Sequence, residues 1–174
     1  VGIKVNCLFG KGVSTHPEVT QSVIRGVKLA GVPENNIIVW DRSSGDLIKV
    51  GYAPTGEVDG VKVLADDGEW GESIEKGAFK GRISNILDKR ITALVNVPIL
   101  KTHGMTGISL SLKNHYGSFD NPGSHHGNHC NPAIADFNSL PAVVDKTRLI
   151  VVDALMPQYE GGPGLKPEEI SNYC

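Results

Sequence analysis

Apolar positions fall in short runs and one helical stripe. Ile3 to Phe9 is a compact apolar run closed by Gly10, with the length and composition of a buried strand. Thr15-His16-Pro17-Glu18 has the spacing of a capping box, and proline is admissible in a helix's first turn. Val19, Val23, Val27 and Ala30 then mark one face of a helix, which Gly31 is suited to end in a left-handed conformation. Ile37-Ile38-Val39-Trp40 reads as a second strand that stops at Asp41. Strand, helix and strand at this spacing predict a right-handed crossover in a mostly parallel sheet.

The middle of the chain is less regular. A short helix is expected from Asp46 to Val50, then a hairpin through Gly56 and Gly60 with Val61 to Leu64 as a strand. Asp66-Asp67-Gly68-Glu69-Trp70-Gly71 reads as a solvated loop. Ile83, Ile86 and Leu87 fit a short helix, and Ile91 to Val97 fit a buried strand that Pro98 should stop. Between Met105 and Tyr116 two periods compete: Ile108, Leu110 and Leu112 alternate like a strand, whereas Ile108, Leu112 and Tyr116 fit a helix ending at Gly117, the reading preferred here. Residues 118–132 form a polar loop, followed by a helix from Ala133 to Val144 and a strand from Leu149 to Val152. Gly161-Gly162-Pro163-Gly164 opens a polar tail. With 174 residues and no clear linker, the chain is read as one α/β domain, 1–174: a Rossmann-like three-layer sandwich around a mostly parallel sheet.

Composition narrows the function classes. The chain is 40% apolar and 21% charged, which excludes a disordered or fibrous reading. A net charge of -2 with no basic cluster argues against nucleic acid as a partner, and no apolar run approaches the ~20 residues of a membrane-spanning helix. Three scattered cysteines, Cys7, Cys130 and Cys174, favour a reducing compartment and hence the cytoplasm. The chain starts at Val1 without Met, which leaves export with removal of a leader open. A homo-oligomer is compatible with all of this.

In open parallel sheets ligands bind beyond the carboxyl ends of the strands. That rule selects Gly10 to His16, Asp41 to Ser44, Leu100 to Gly104 and Asp153 to Gly164. Lys101 and His103 therefore fall on the functional rim, and His16 starts the first helix at the same edge. Lys113 is a candidate base, imine former or anion anchor, because a lysine that loses water also loses basicity. His125, His126, His129 and Cys130 crowd one loop and offer imidazole and thiolate to a divalent zinc, nickel or iron ion, although their spacing matches no standard structural zinc motif. Gly10 and Gly12 between strand and helix, with Asp41 at the end of the next strand, supply two-thirds of a dinucleotide fingerprint. Thr15 replaces the third glycine.

The run from Asn96 to Gly117 contains Lys101-Thr-His-Gly104, Thr106-Gly107 and Lys113-Asn114. It resembles the central motif of a bacterial and archaeal family catalogued as domain of unknown function 362. Agreement extends to Lys4-Val5-Asn6, to Ala133–Asn138 and to Val151-Val152-Asp153-Ala154. That resemblance implies an α/β fold common in anaerobes. Many members add a ferredoxin-type module, but without clustered cysteines no iron–sulfur cluster is expected in this chain. Members usually continue beyond the Gly-Gly-Pro, so the chain is read as a short member or a fragment.

A fainter similarity is to the nickel-pincer lactate racemases. It implies an acid/base pair in His16 and His103, a cofactor-bearing lysine in Lys113 and a nickel ligand in His129. The glycine-rich stretch before the racemase lysine is replaced here by Ser109-Leu-Ser-Leu112.

Three functions stay open on sequence. The first is a metal- or cofactor-assisted enzyme acting on a small anionic substrate, with Lys101 and Lys113 holding charge and His16 and His103 exchanging protons near neutral pH. The second is a nucleotide-binding Rossmann-like module built on Gly10, Gly12 and Asp41. The third is a non-catalytic metal-binding or assembly domain.

Overall fold

The computed structural model describes residues 1–56 and 59–164. The strands are β1 (Gly2–Lys4), β2 (Ile38–Asp41), β3 (Lys62–Ala65), β4 (Trp70–Lys76), β5 (Phe79–Ser84), β6 (Leu94–Asn96), β7 (Ile99–His103), β8 (Gly107–Ser109), β9 (Thr147–Ile150) and β10 (Asp153–Gln158). The helices are α1 (Pro17–Leu29), α2 (Ser44–Val50), α3 (Ser111–Asn114), α4 (Ala133–Asn138) and α5 (Pro141–Val144). Five strands pair in parallel in the order β3-β2-β1-β6-β9. Chain order reverses on either side of β1, so the switch point of a doubly wound sheet lies between β1 and β6.

Alternation along the strands sends side chains to two cores. Ile3, Val39 and Val95 face one side, with Ile24, Leu47 and Val50 of α1 and α2. Ile38, Trp40 and Leu94 face the other, which is covered by Phe79 and Ile83 of the β4–β5 hairpin, Phe119, and Phe137 and Val143 of α4 and α5. The result is the Rossmann-like α/β sandwich expected. Beyond the carboxyl ends of the main sheet stands a small second sheet, β10-β7-β8. No helix among the described residues is long and apolar enough to cross a membrane.

Several local expectations fail for identifiable reasons. The first strand ends at Lys4 rather than Phe9, because side chains take over the backbone donors: Asn6 N donates to Thr15 Oγ1 at 2.9 Å and Cys7 N to Asp41 Oδ2 at 2.6 Å. Thr15 accordingly does not cap α1; its hydroxyl donates to Val97 O, and the N-cap is His16. The segment read as a hairpin around Gly56–Gly60 yields only β3, parallel to β2, with residues 57–58 outside the description.

Asp66 is not solvated. It is buried and accepts the Ser84 hydroxyl at 2.7 Å, and the supposed loop after it runs into β4. Ile83 lies in β5, and only 86–90 turn helically, as a π-type turn. The chain resumes as β7 directly after Pro98. Residues 105–117 satisfy both competing periods in succession, β8 first and α3 afterwards. Loop 118–132 is not wholly polar surface, since Phe119 lies in the core against Phe79 and Phe137. Pro141 splits the expected 133–144 helix into α4 and α5, and the last strand of the main sheet spans 147–150 rather than 149–152. The polar tail beyond Gly164, with Cys174, lies outside the described residues.

Under the switch point Lys4 Nζ meets Asp41 Oδ1 at 2.6 Å, both side chains nearly solvent-free. Removing one member of a buried pair leaves the other charge uncompensated. Lys4→Met is therefore expected to cost about 3–5 kcal/mol of unfolding free energy, read as a lowered denaturant midpoint at unchanged slope.

Candidate functional site

A cleft of about 450 Å³ opens at the switch point. Its walls come from the segment after β1 (Asn6, Leu8, Phe9), the β2–α2 turn (Asp41 to Ser43), β7 (Lys101, His103) and α3 with its following turn (Lys113, Asn114, Tyr116). His126 closes it from the histidine loop. Period-two alternation explains the β7 pair: Ile99, Lys101 and His103 share the buried face, while Leu100 and Thr102 lie half-exposed.

The rear wall is a chain of amides, buried at Asn96 and Asn114 and half-buried at Asn6. Asn6 Nδ2 donates to Asn114 Oδ1 at 3.1 Å, and Asn114 Nδ2 to Asn96 Oδ1 at 2.7 Å. Asn96 Nδ2 then reaches Ser111 O and the ring of His115. This network ties the ends of β1 and β6 to α3 and so fixes where Lys113 emerges. Gly117 permits the close approach, because a Cβ there would lie 3.0 Å from both Asp41 Oδ1 and Lys4 Nζ.

The cleft concentrates positive charge. Lys101 is buried, and its ammonium donates to Val13 O at 2.8 Å and to Asn6 Oδ1 at 3.4 Å, which leaves one donor for a ligand. Burial lowers it to about 8, assisted by the charge of Lys113 and opposed by that of Asp41. Lys113 Nζ lies over the Tyr116 ring, 3.5 Å from its centre, and 3.1 Å from His126 Nε2. Burial lowers Lys113 to about 8 as well. Neither lysine forms an ion pair among the described residues.

His103 does not exchange protons near neutral pH in this setting. Burial first, then the charges of Lys113, His126 and Lys101, push it down to about 4. Its Nδ1 accepts from Met105 N at 3.2 Å and Thr106 N at 3.4 Å, so these partners assign the neutral ring's proton to Nε2. A neutral imidazole with N–H exposed to the cleft donates a hydrogen bond; it is not poised as a base.

Lys101, His103, Lys113, Asp41 and His126 thus gather in one cleft; the remaining candidates do not. His16 is held on Asp153, whose Oδ2 takes both its backbone N–H (2.7 Å) and its Nδ1 (2.8 Å), and it does not line the cleft. Gly10 and Gly12 take positive φ, of 80° and 90°, but neither lines the cleft. Asp41 is engaged by Lys4, Cys7 N and Arg42 N, and Asp153 occupies the helix terminus that a pyrophosphate uses in dinucleotide folds.

The histidine loop also divides. His125 donates Nε2–H to Lys80 O and packs on Phe79 and Phe119. His129 donates to Met105 O in a separate hollow, and Cys130 is buried in the core. His126, rather than His129, stands beside Lys113. Among the described residues no three His, Cys, Asp or Glu side chains converge to hold a metal ion. The described donors therefore do not fit a protein-held metal.

Sequence reasoning missed Asn6, Asn114, Tyr116 and Phe9. The first two belong to the Lys-Val-Asn and Lys-Asn motifs, whose amides signal a polar network; Phe9 was absorbed into a strand that ends earlier.

His103 at about 4 and His115, pushed down to about 3 by complete burial and by the charge of Lys4, make a pH prediction. Both rings bind protons more readily unfolded than folded, so stability falls as pH drops from 6.5 toward 4. Asp66, raised by burial to about 6, works the other way, since the folded state holds its proton, but His126 and Asp120 are lowered in the fold and act with the two rings against it. Imidazole NMR titration is expected to find both rings neutral at pH 5, and denaturant midpoints should decline between pH 6.5 and 4. An upfield-to-downfield transition of His103 centred near 6.5 contradicts this geometry.

Comparison with known proteins returns a single kind of relation. No curated protein and no solved structure matches the chain. A family model does, across residues 1–172, and its span takes in the whole cleft. The chain belongs to the family described as domain of unknown function (DUF362).

Proposed function

We propose that the chain is an enzyme acting on a small anionic substrate bound in the switch-point cleft. One observation carries this reading: Lys101 and Lys113 face the same cleft, and among the described residues neither forms an ion pair with a carboxylate. Desolvating two unpaired ammonium groups side by side is unfavourable, and a bound anion relieves both penalties together. Lys101 offers one N–H donor and Lys113 two more beyond its imidazole contact. Charge-assisted hydrogen bonds of this type favour carboxylate, phosphate or sulfate groups.

His103 supplies the chemistry suited to such a ligand. Its Nε2–H is a fixed neutral donor toward an oxygen that gains negative charge during reaction. Leu8, Phe9 and Tyr116 add apolar surface around the charged end, which limits water and strengthens the electrostatics. The nucleotide-binding alternative has less to support it, because Asp41 and the α1 terminus are satisfied internally.

Titration calorimetry with phosphate, sulfate and oxalate at low ionic strength tests the proposal. At least one is expected to bind, more weakly as pH rises from 7 to 9, because both lysines shed charge around pH 8. Lys101→Met should weaken binding about tenfold or more, the equivalent of losing one charge-assisted hydrogen bond. Failure of all three anions to bind, or equal affinity in the variant, overturns the reading.

A further inference from the structure

We propose that Lys113 is a nucleophile that forms an imine with the carbonyl group of a small oxo acid, whose carboxylate rests on Lys101. This rests on the anion-site reading and deepens it. The two lysines differ in a way that assigns them different tasks. Lys101 is tethered to a backbone carbonyl and to Asn6, which suits an anchor. Among the described residues Lys113 has one hydrogen-bond partner, the imidazole nitrogen of His126, an acceptor that burial and the charge of Lys113 make less basic than usual, so that it holds a proton only in passing and readily returns it. A lysine shielded from water keeps a larger share of reactive free amine, which is one route to an activated amine. Its lowering to about 8 agrees with this placement.

The surroundings match each stage of the condensation. Lys113 passes one proton to His126 Nε2, and its lone pair forms a C–N bond as the carbonyl π electrons move to oxygen. Nitrogen gives a second proton to that oxygen, and His126 returns the first as the C–O bond breaks and water leaves. Ammonium and oxo acid thus become iminium and water, with no oxidant or reductant. His103 Nε2–H steadies the oxygen throughout without itself ionising. The product retains a positive charge at the nitrogen, which already lies on the face of Tyr116 at 3.5 Å, where a ring stabilises a cation.

Pyruvate with cyanoborohydride is the direct probe, applied to the full chain and read by intact mass and peptide mapping. The expected result is a single reduced adduct on Lys113, forming faster at pH 8 than at pH 6, slowed by sulfate and absent in Lys113→Arg. In Lys101→Met the adduct should form about tenfold more slowly, in proportion to lost anion affinity. Labelling confined to exposed lysines, with Lys113 unmodified, overturns the proposal. Calorimetry with pyruvate separates the two levels. Binding that depends on Lys101 without an adduct on Lys113 removes the imine and leaves the anion site, whereas neither binding nor adduct removes both.

Discussion

Lys4 and Asp41 meet beneath the cleft where the strand order of the doubly wound sheet reverses, and the path of the chain on both sides follows from that contact. Asp41 accepts from Lys4 Nζ, from Arg42 N and from Cys7 N, so one carboxylate fixes the exits of both β1 and β2. Lys4 in turn donates to Val5 O and lies over the Trp40 ring. In a region this dry neither charge is tolerable alone. Together they leave a floor whose charge is internally balanced. The positive charge above it, on Lys101 and Lys113, has no such counterpart among the described residues.

That separation of balanced from unbalanced charge is what makes the site interpretable. A lysine with a carboxylate neighbour is ordinary structural material, and Lys4 is one. Lys101 and Lys113 line the same cleft from β7 and α3, and their hydrogen-bond partners among the described residues are neutral. Sequence offers no way to distinguish the three, because the difference lies in what β7 and α3 place beside them.

The main architecture was legible because it depends on patterns written locally. Apolar runs at 3, 38 and 95 are spaced for parallel strands, and the valines of α1 keep helical period. The rim rule put Lys101 and His103 past the end of β6, where both line the cleft, because it depends only on strand direction. What stayed hidden was decided by side chains from distant segments. Thr15 abandons its cap for Val97 O, and Asp66 leaves solvent for Ser84. His126 and His129 are three residues apart, yet positive φ at Asn128, His129 and Cys130 turns them to separate hollows. Proximity in sequence made them look like one cluster; backbone handedness divided it.

The carboxylate of Asp153 at the start of α1 has one more consequence. In sheets of this order the first helix terminus is the customary seat for a ligand's phosphate. Here β10 folds back and fills that seat with a group belonging to the chain itself. The fold carries its own tenant where relatives in architecture keep a vacancy for nucleotides. The backbone amides that would suit any phosphate are thereby taken up internally, and the cleft is left to amines, whose reactivity depends on their surroundings.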